Sequence, residues 1–158
     1  MTFILLMNPS SVTPWGSNWA WSIPLIVVTV VFHAFALSLL NRAVSFILKG
    51  KRTRNLDDMV SVFVVGSIAL CATILQSSEA SIWAIAYRML GALPDRKSAM
   101  LFSLGAMTTY GNTTFRLEPR WQLMGSLEAL NGWILFGLTT AFLFTVIQEV
   151  WSRRKLPS

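Results

Sequence analysis

The sequence predicts an all-α membrane protein with three transmembrane helices and a short apolar helix that enters the membrane without crossing it. Composition is the first reason. Apolar residues make up 54% of the 158 and charged residues 13%, about half the usual ~25%, and the mean hydropathy is +0.57. The second is three long apolar runs, over residues 23–48, 59–78 and 122–150, each matching the ~20 residues a span needs. The third is the run over residues 98–108. It is apolar but too short to cross, and a polar stretch from Thr109 to Trp121 separates it from the third long run.

Residues 1–22 carry no charged side chain and hold Trp15, Trp19 and Trp21. With Pro9, Pro14 and Gly16 as breakers they are expected to form an interfacial segment. Its start lacks a basic region and its apolar core is too short for a cleaved signal, so the first span is expected to serve as an uncleaved insertion signal. The first transmembrane helix is placed over 23–48, ~39 Å long, with Arg42 near one end able to extend to the interface. Residues 49–58 follow as a short loop opened by Lys49-Gly-Lys-Arg-Thr-Arg54. Residues 59–150 form the remaining module. Its outer helix starts at 59, stays helical in pattern through Ser81–Met89 and ends at Gly91, and Pro94-Asp95-Arg96-Lys97 makes the next turn. Residues 151–158 are a basic tail containing Arg153-Arg154-Lys155. No internal repeat or low-complexity tract is present.

The formal net charge of +6 does not point to nucleic acid, because the basic residues cluster at the ends of apolar runs. Both basic clusters are satisfied together by the N-terminus outside, residues 49–58 in the cytoplasm and the C-terminus inside. Cys71 is the only cysteine. It has no disulfide partner within the chain and is expected to be a small buried apolar residue.

A short apolar helix, a loop rich in Gly and Thr, and then a full span is the order in which a re-entrant pore helix, an ion filter and an inner helix follow one another. A filter must replace an ion's water shell with protein oxygens. Irregular backbone at membrane depth is tolerated where it lines a cavity or is packed in protein. The loop Gly-Ala-Met-Thr-Thr-Tyr-Gly-Asn-Thr-Thr114 meets that requirement. Thr108, Thr109, Tyr110, Gly111, Asn112 and Thr113 are the candidate filter residues. A single such loop cannot enclose an ion path, so several copies are needed. By helical spacing Ile134, Leu138, Ala141 and Thr145 share one face of the inner helix, the candidate cavity lining, with Gly132 and Gly137 as candidate hinge or packing positions.

More specific pieces stand at Gly-Ala-Leu-Pro-Asp95, Leu-Phe-Ser103, Thr108-Thr109, Trp121, Leu-Glu-Ala-Leu-Asn-Gly132 and Leu-Phe-Gly-Leu-Thr-Thr-Ala-Phe-Leu-Phe144. With these, the run from Gly91 to Phe144 resembles the pore module of small prokaryotic potassium-channel-like proteins, the two-transmembrane ion-channel family. The first span, with His33-Ala34, resembles the extra N-terminal helix of one branch. The resemblance implies a homotetramer around one central pore in a prokaryotic cytoplasmic membrane. It implies K+ or Na+ as the permeant ion and no cofactor or bound metal beyond it.

The chain departs from the family's Thr-Thr-Leu-Gly-Tyr-Gly-Asp pattern. Aligned without gaps it has Thr108-Thr109-Tyr110-Gly111-Asn112-Thr113-Thr114, so one of two glycines remains. Filter glycines allow left-handed backbone; Asn tolerates it and β-branched Thr does so poorly. A gapped alignment that matches Tyr110-Gly111 to the second Tyr-Gly needs both a deletion and an insertion before Trp121, and ranks lower. The outer loops carry Arg88, Arg96, Lys97, Arg116 and Arg120 against Glu79, Asp95 and Glu118, a sign that repels cations modestly after screening. Weak or altered potassium selectivity is therefore expected.

Glu128 and Asn131 lie inside the third span, where polar side chains need partners. Glu128 is expected either to hydrogen-bond behind the pore helix or sit protonated near the cavity, or else, as pure architecture, to pair with Arg120 or a pore-helix backbone group. His33 is either a structural hydrogen-bonding group or a pH-sensing one. No nucleophile triad, metal cluster or phosphate loop is present, so no enzyme is expected. The tail is too short for a cytoplasmic ligand domain, which would leave gating to the helices, the filter or a regulatory protein partner. The alternative to a cation channel is a non-conducting relative acting in assembly or partner binding. A transporter subunit is disfavoured by the lack of inverted repeats.

Overall fold

The computed structural model describes residues 15–50, 58–111 and 115–154. All regular structure among them is helical: α1 (Trp15–Gly50), α2 (Asp58–Met89), α3 (Arg96–Met107), a short 3-10 turn (Pro119–Trp121) and α4 (Gln122–Arg154). With 36, 32 and 33 residues, α1, α2 and α4 reach ~48–54 Å at 1.5 Å per residue, well beyond a ~30 Å hydrocarbon core. All three are apolar enough to cross; this is a membrane protein. Helix α3 has 12 residues, ~18 Å, and cannot.

Helix α1 starts earlier than the interfacial expectation for residues 1–22, since Trp15–Ser22 are helical. The first amide groups of a helix have no partner inside it, so breakers cost little there. Asn18, buried, also fastens this turn: its Nδ2 donates to the Arg120 carbonyl at 2.8 Å and its Oδ1 accepts from the Met124 amide at 3.1 Å. Trp15, Trp19 and Trp21 remain exposed, as interface anchors do. Pro24 lies within α1, which membrane helices tolerate.

Helix α2 ends in a Schellman motif. Gly91 takes φ 64°, the Ala92 amide donates to the Tyr87 carbonyl at 2.9 Å and the Gly91 amide to Arg88 at 3.2 Å. Arg88 then donates to the carbonyls of Leu93 and Pro94. Asp95 caps α3, accepting from the Ser98 hydroxyl at 2.6 Å and the Ser98 amide at 2.9 Å. These two bonds hold the exposed Asp95 carboxyl below its ordinary value, so the cap is present at neutral pH and fades as pH falls through that lowered value.

The described residues fall into two compact units, one within 1–29 and 80–133, the other within 30–79 and 134–158. The first has a core of Trp83, Tyr87, Leu93, Ala99, Leu117, Trp121 and Met124. Tyr87 meets Phe102 edge-on at 5.4 Å. The second has a core of Val44, Ile68, Val146 and Val150. Lipid is as apolar as these side chains, so tight packing and buried polar bonds carry more of the association than in water.

Two expectations are corrected. Cys71 is exposed, on the outside of α2; in a membrane an apolar environment does not require burial in protein. Glu79 is not an outer-loop charge but a fully buried residue of α2, paired with His33. Residues 1–14, the basic loop at 51–57 and the end of the tail at 155–158 lie outside the described residues, as do Asn112, Thr113 and Thr114.

Candidate functional site

The site is built on α3. Its buried residues are small: Ser98, Ala99, Ser103 and Gly105. That lets the helix pack closely within the first unit. Its last residue, Met107, lies on the α4 backbone at Gly132. A Cβ at Gly132 would meet the Met107 carbonyl oxygen at 2.3 Å and its Cα at 2.7 Å. Gly132 is thus a packing position. Gly137 is exposed, with nothing within 4 Å of a Cβ.

A buried polar cluster holds α3. Glu128 on α4 is fully buried. Tyr87 of α2 donates to its Oε2 at 2.6 Å. Ser103 of α3 hydrogen-bonds to Glu128 Oε1 and lies 2.7 Å from the Ala80 carbonyl. Three contacts join these oxygens, while the two hydroxyls supply two protons. The set closes fully when the carboxyl carries the third. Arg120 pairs instead with Glu118, at 2.7 Å on the exposed surface, so the Arg120 alternative for Glu128 is excluded. Asn131, also buried, donates to Thr29 Oγ1 at 2.8 Å.

The loop leaves α3 through two residues at positive φ. Thr108 has φ −86° and ψ −1°, Thr109 φ 55° and Gly111 φ 74°, with Tyr110 between them not in the positive region. The amides of Thr108, Thr109 and Gly111 turn back onto the carbonyls of Leu104, Ala106 and Gly105, so Thr109 takes the left-handed position that closes a helix end. A β-branched residue at positive φ is an outlier that costs ~1–2 kcal/mol. Such strain persists where the surroundings impose it, and it clusters at functional sites. Here the Gly111 amide reaches back to the Gly105 carbonyl at 3.0 Å. The Thr108 and Thr109 hydroxyls donate to the carbonyls of Leu104 and Thr108, both at 2.7 Å, leaving their oxygens free to accept. Tyr110 is 91% exposed. Beside the turn is an open hollow of ≈ 540 Å³ bordered by Phe102, Ala106, Thr109, Gly111, Arg116 and Ser126.

No family model, curated protein or solved structure matches this chain.

The remaining candidates lie on α4. Ile134, Gly137, Leu138, Ala141 and Thr145 are all exposed and share one face. Thr145 returns its hydroxyl to the Ala141 carbonyl at 3.0 Å, so its face is less polar than its side chain implies. Gly132 is buried and stands apart from this group. Sequence reasoning found Glu128 but not its partners Tyr87 and Ser103. It also missed the Asn18 clamp and the bond between His33 and Glu79. The available signal was general: a polar side chain in a span needs a partner, and an isolated sequence does not say which.

Proposed function

We propose that this chain is one subunit of a homotetrameric pore for monovalent cations, resembling the small prokaryotic potassium channels but with weak potassium selectivity. The observation that carries the reading is the left-handed Thr109, followed by Gly111 at positive φ, at the end of a helix too short to cross. In this reading α3 is the re-entrant pore helix, residues 108–113 line the filter and the Ile134, Leu138, Ala141 and Thr145 face lines the cavity. Glu128 then holds the pore helix rather than touching the ion. With Thr113 where a second glycine is needed, fewer ordered carbonyl rings form and sodium passes nearly as well as potassium.

Reversal potentials of the reconstituted protein under sodium–potassium gradients test this. Replacing Tyr110-Gly111-Asn112-Thr113-Thr114 with Leu-Gly-Tyr-Gly-Asp is expected to raise the preference for potassium. Strong potassium selectivity in the natural protein would refute the altered filter. Absence of current from both versions would favour a non-conducting relative, the reading to which the exposed Arg116 beside the hollow lends weight.

The proposed orientation puts the N-terminus outside the cytoplasmic membrane and the C-terminus inside. With Cys71 as the sole cysteine, a Cys71→Ser background accepts single cysteines at Ser11, Thr53, Thr114 and Ser158. An impermeant maleimide added to intact cells should label the first and third positions only. Labelling at Thr53 would reverse the topology.

A further inference from the structure

The second unit contains a buried polar chain that the pore reading does not use. His33 Nδ1 lies 2.8 Å from Glu79 Oε1, and both side chains have zero exposure. His33 Nε2 lies 3.0 Å from Thr139 Oγ1, which in turn accepts from Gln76 Nε2 at 3.5 Å. With a neutral imidazole protonated at Nδ1, the hydrogen bonds run in one direction. Gln76 donates to Thr139, Thr139 to Nε2, and Nδ1–H to Glu79. The chain therefore ends on a carboxylate. Its other oxygen, Oε2, is buried and has no hydrogen-bond partner. An unpaired acceptor on an ionised group, withdrawn from water, is costly. One added proton removes the net charge.

We propose that His33 and Glu79 form an intramembrane proton-binding site that takes up and releases one proton as a unit. A hydronium ion from the aqueous phase gives up its proton and leaves water. The proton forms an O–H bond at Glu79 Oε2 or an N–H bond at His33 Nε2. In the second case Thr139 turns from donor to acceptor. The pair passes from one negative charge to neutral in either case, and the titration belongs to both residues. Other titratable groups share these helices: Arg42 and Lys49 on α1; Asp58, Cys71, Tyr87 and Arg88 on α2; Glu128, Glu149, Arg153 and Arg154 on α4. Arg42, Cys71 and Arg88 are exposed, and Tyr87 and Glu128 bond to each other. Among the described residues, no second charged group hydrogen-bonds or ion-pairs with His33 or Glu79. The site links α1, α2 and α4 within its unit, so proton occupancy changes a bond on which all three converge. The proposal is independent of conduction.

The chain has one histidine, which makes the test direct. Full-length protein with 15N-labelled histidine, in lipid bilayers, gives imidazole signals that belong to His33 alone. Across the pH range in which the protein stays folded, a single step is expected in the ring nitrogen shifts, or in the protonated-carboxyl band of infrared difference spectra, or in both. Glu79→Gln keeps the shape but cannot bind the proton. It should abolish the carboxyl step and displace the histidine step, while Glu128→Gln should leave the histidine step in place. Ring and carboxyl signals unchanged over that range in the natural protein would overturn the site. So would a histidine step that Glu79→Gln leaves where it was. If Glu79→Gln fails to fold, the spectra of the natural protein decide alone.

Discussion

Gly132→Ala is expected to destabilise the protein strongly, while Gly137→Ala leaves it unchanged or slightly more stable. Both glycines lie in α4, where alanine is the better helix former by ~1 kcal/mol. They differ in surroundings. A Cβ at Gly132 falls 2.3 Å from the Met107 carbonyl oxygen, 2.7 Å from its Cα and 2.9 Å from its carbonyl carbon. These are backbone atoms at the end of α3 and cannot move aside as a side chain can. Overpacking costs ~1–3 kcal/mol and occasionally more, and the rigid neighbour places this case at the upper end. The α3 C-terminus must then move, taking the Thr108–Gly111 turn with it. Thermal unfolding of the purified protein, followed by tryptophan fluorescence, should show a clearly lower midpoint for Gly132→Ala, and Gly132→Leu should fail to accumulate. Equal midpoints for Gly132→Ala and the natural protein would mean that α3 does not rest on α4 at this point.

The elements that could be anticipated were those set by length and period. An apolar run of span length has few alternatives, and residues 98–108 are too few to cross whatever their partners. The shared face of Ile134, Leu138, Ala141 and Thr145 follows from 3.6 residues per turn and needs no tertiary information. The start of α1 was less accessible, because Pro14 and Gly16 act as breakers in mid-helix but are harmless at an N-terminus. Cys71 shows a different limit: in a membrane, apolar character fits lipid as well as core, so it does not predict burial. Glu79 was misplaced because a charge after two serines resembles a helix end, while the group that justifies its burial is 46 residues away on another helix. Thr109 was hidden for the opposite reason. Local preference argues against a left-handed threonine, and the surrounding structure overrides it.

Glu128 is the position where two substitutions should part most widely. Glutamine reproduces a neutral carboxylic acid: its carbonyl accepts from the Tyr87 hydroxyl and its amide donates to Ser103 Oγ. Glu128→Gln should therefore assemble almost normally. Glu128→Ala removes both contacts, with unequal consequences. Ser103 keeps the Ala80 carbonyl at 2.7 Å, whereas Tyr87 loses the carboxyl that accepts its hydroxyl at 2.6 Å. A buried hydroxyl without a partner costs ~1–3 kcal/mol, and the cavity left by the shortened side chain adds to it. The two contributions separate in a Tyr87→Phe background, where no phenol remains to be stranded. There Glu128→Ala should cost less than in the natural protein, by roughly the penalty of one unsatisfied group. The measurement is a double-mutant cycle on the unfolding midpoint, read beside the oligomeric state on size exclusion. An undiminished cost in the Tyr87→Phe background would show that Tyr87 and Glu128 are not coupled. Normal assembly of both Glu128 variants with altered conductance would move the carboxyl from holding the pore helix to acting on the permeant ion.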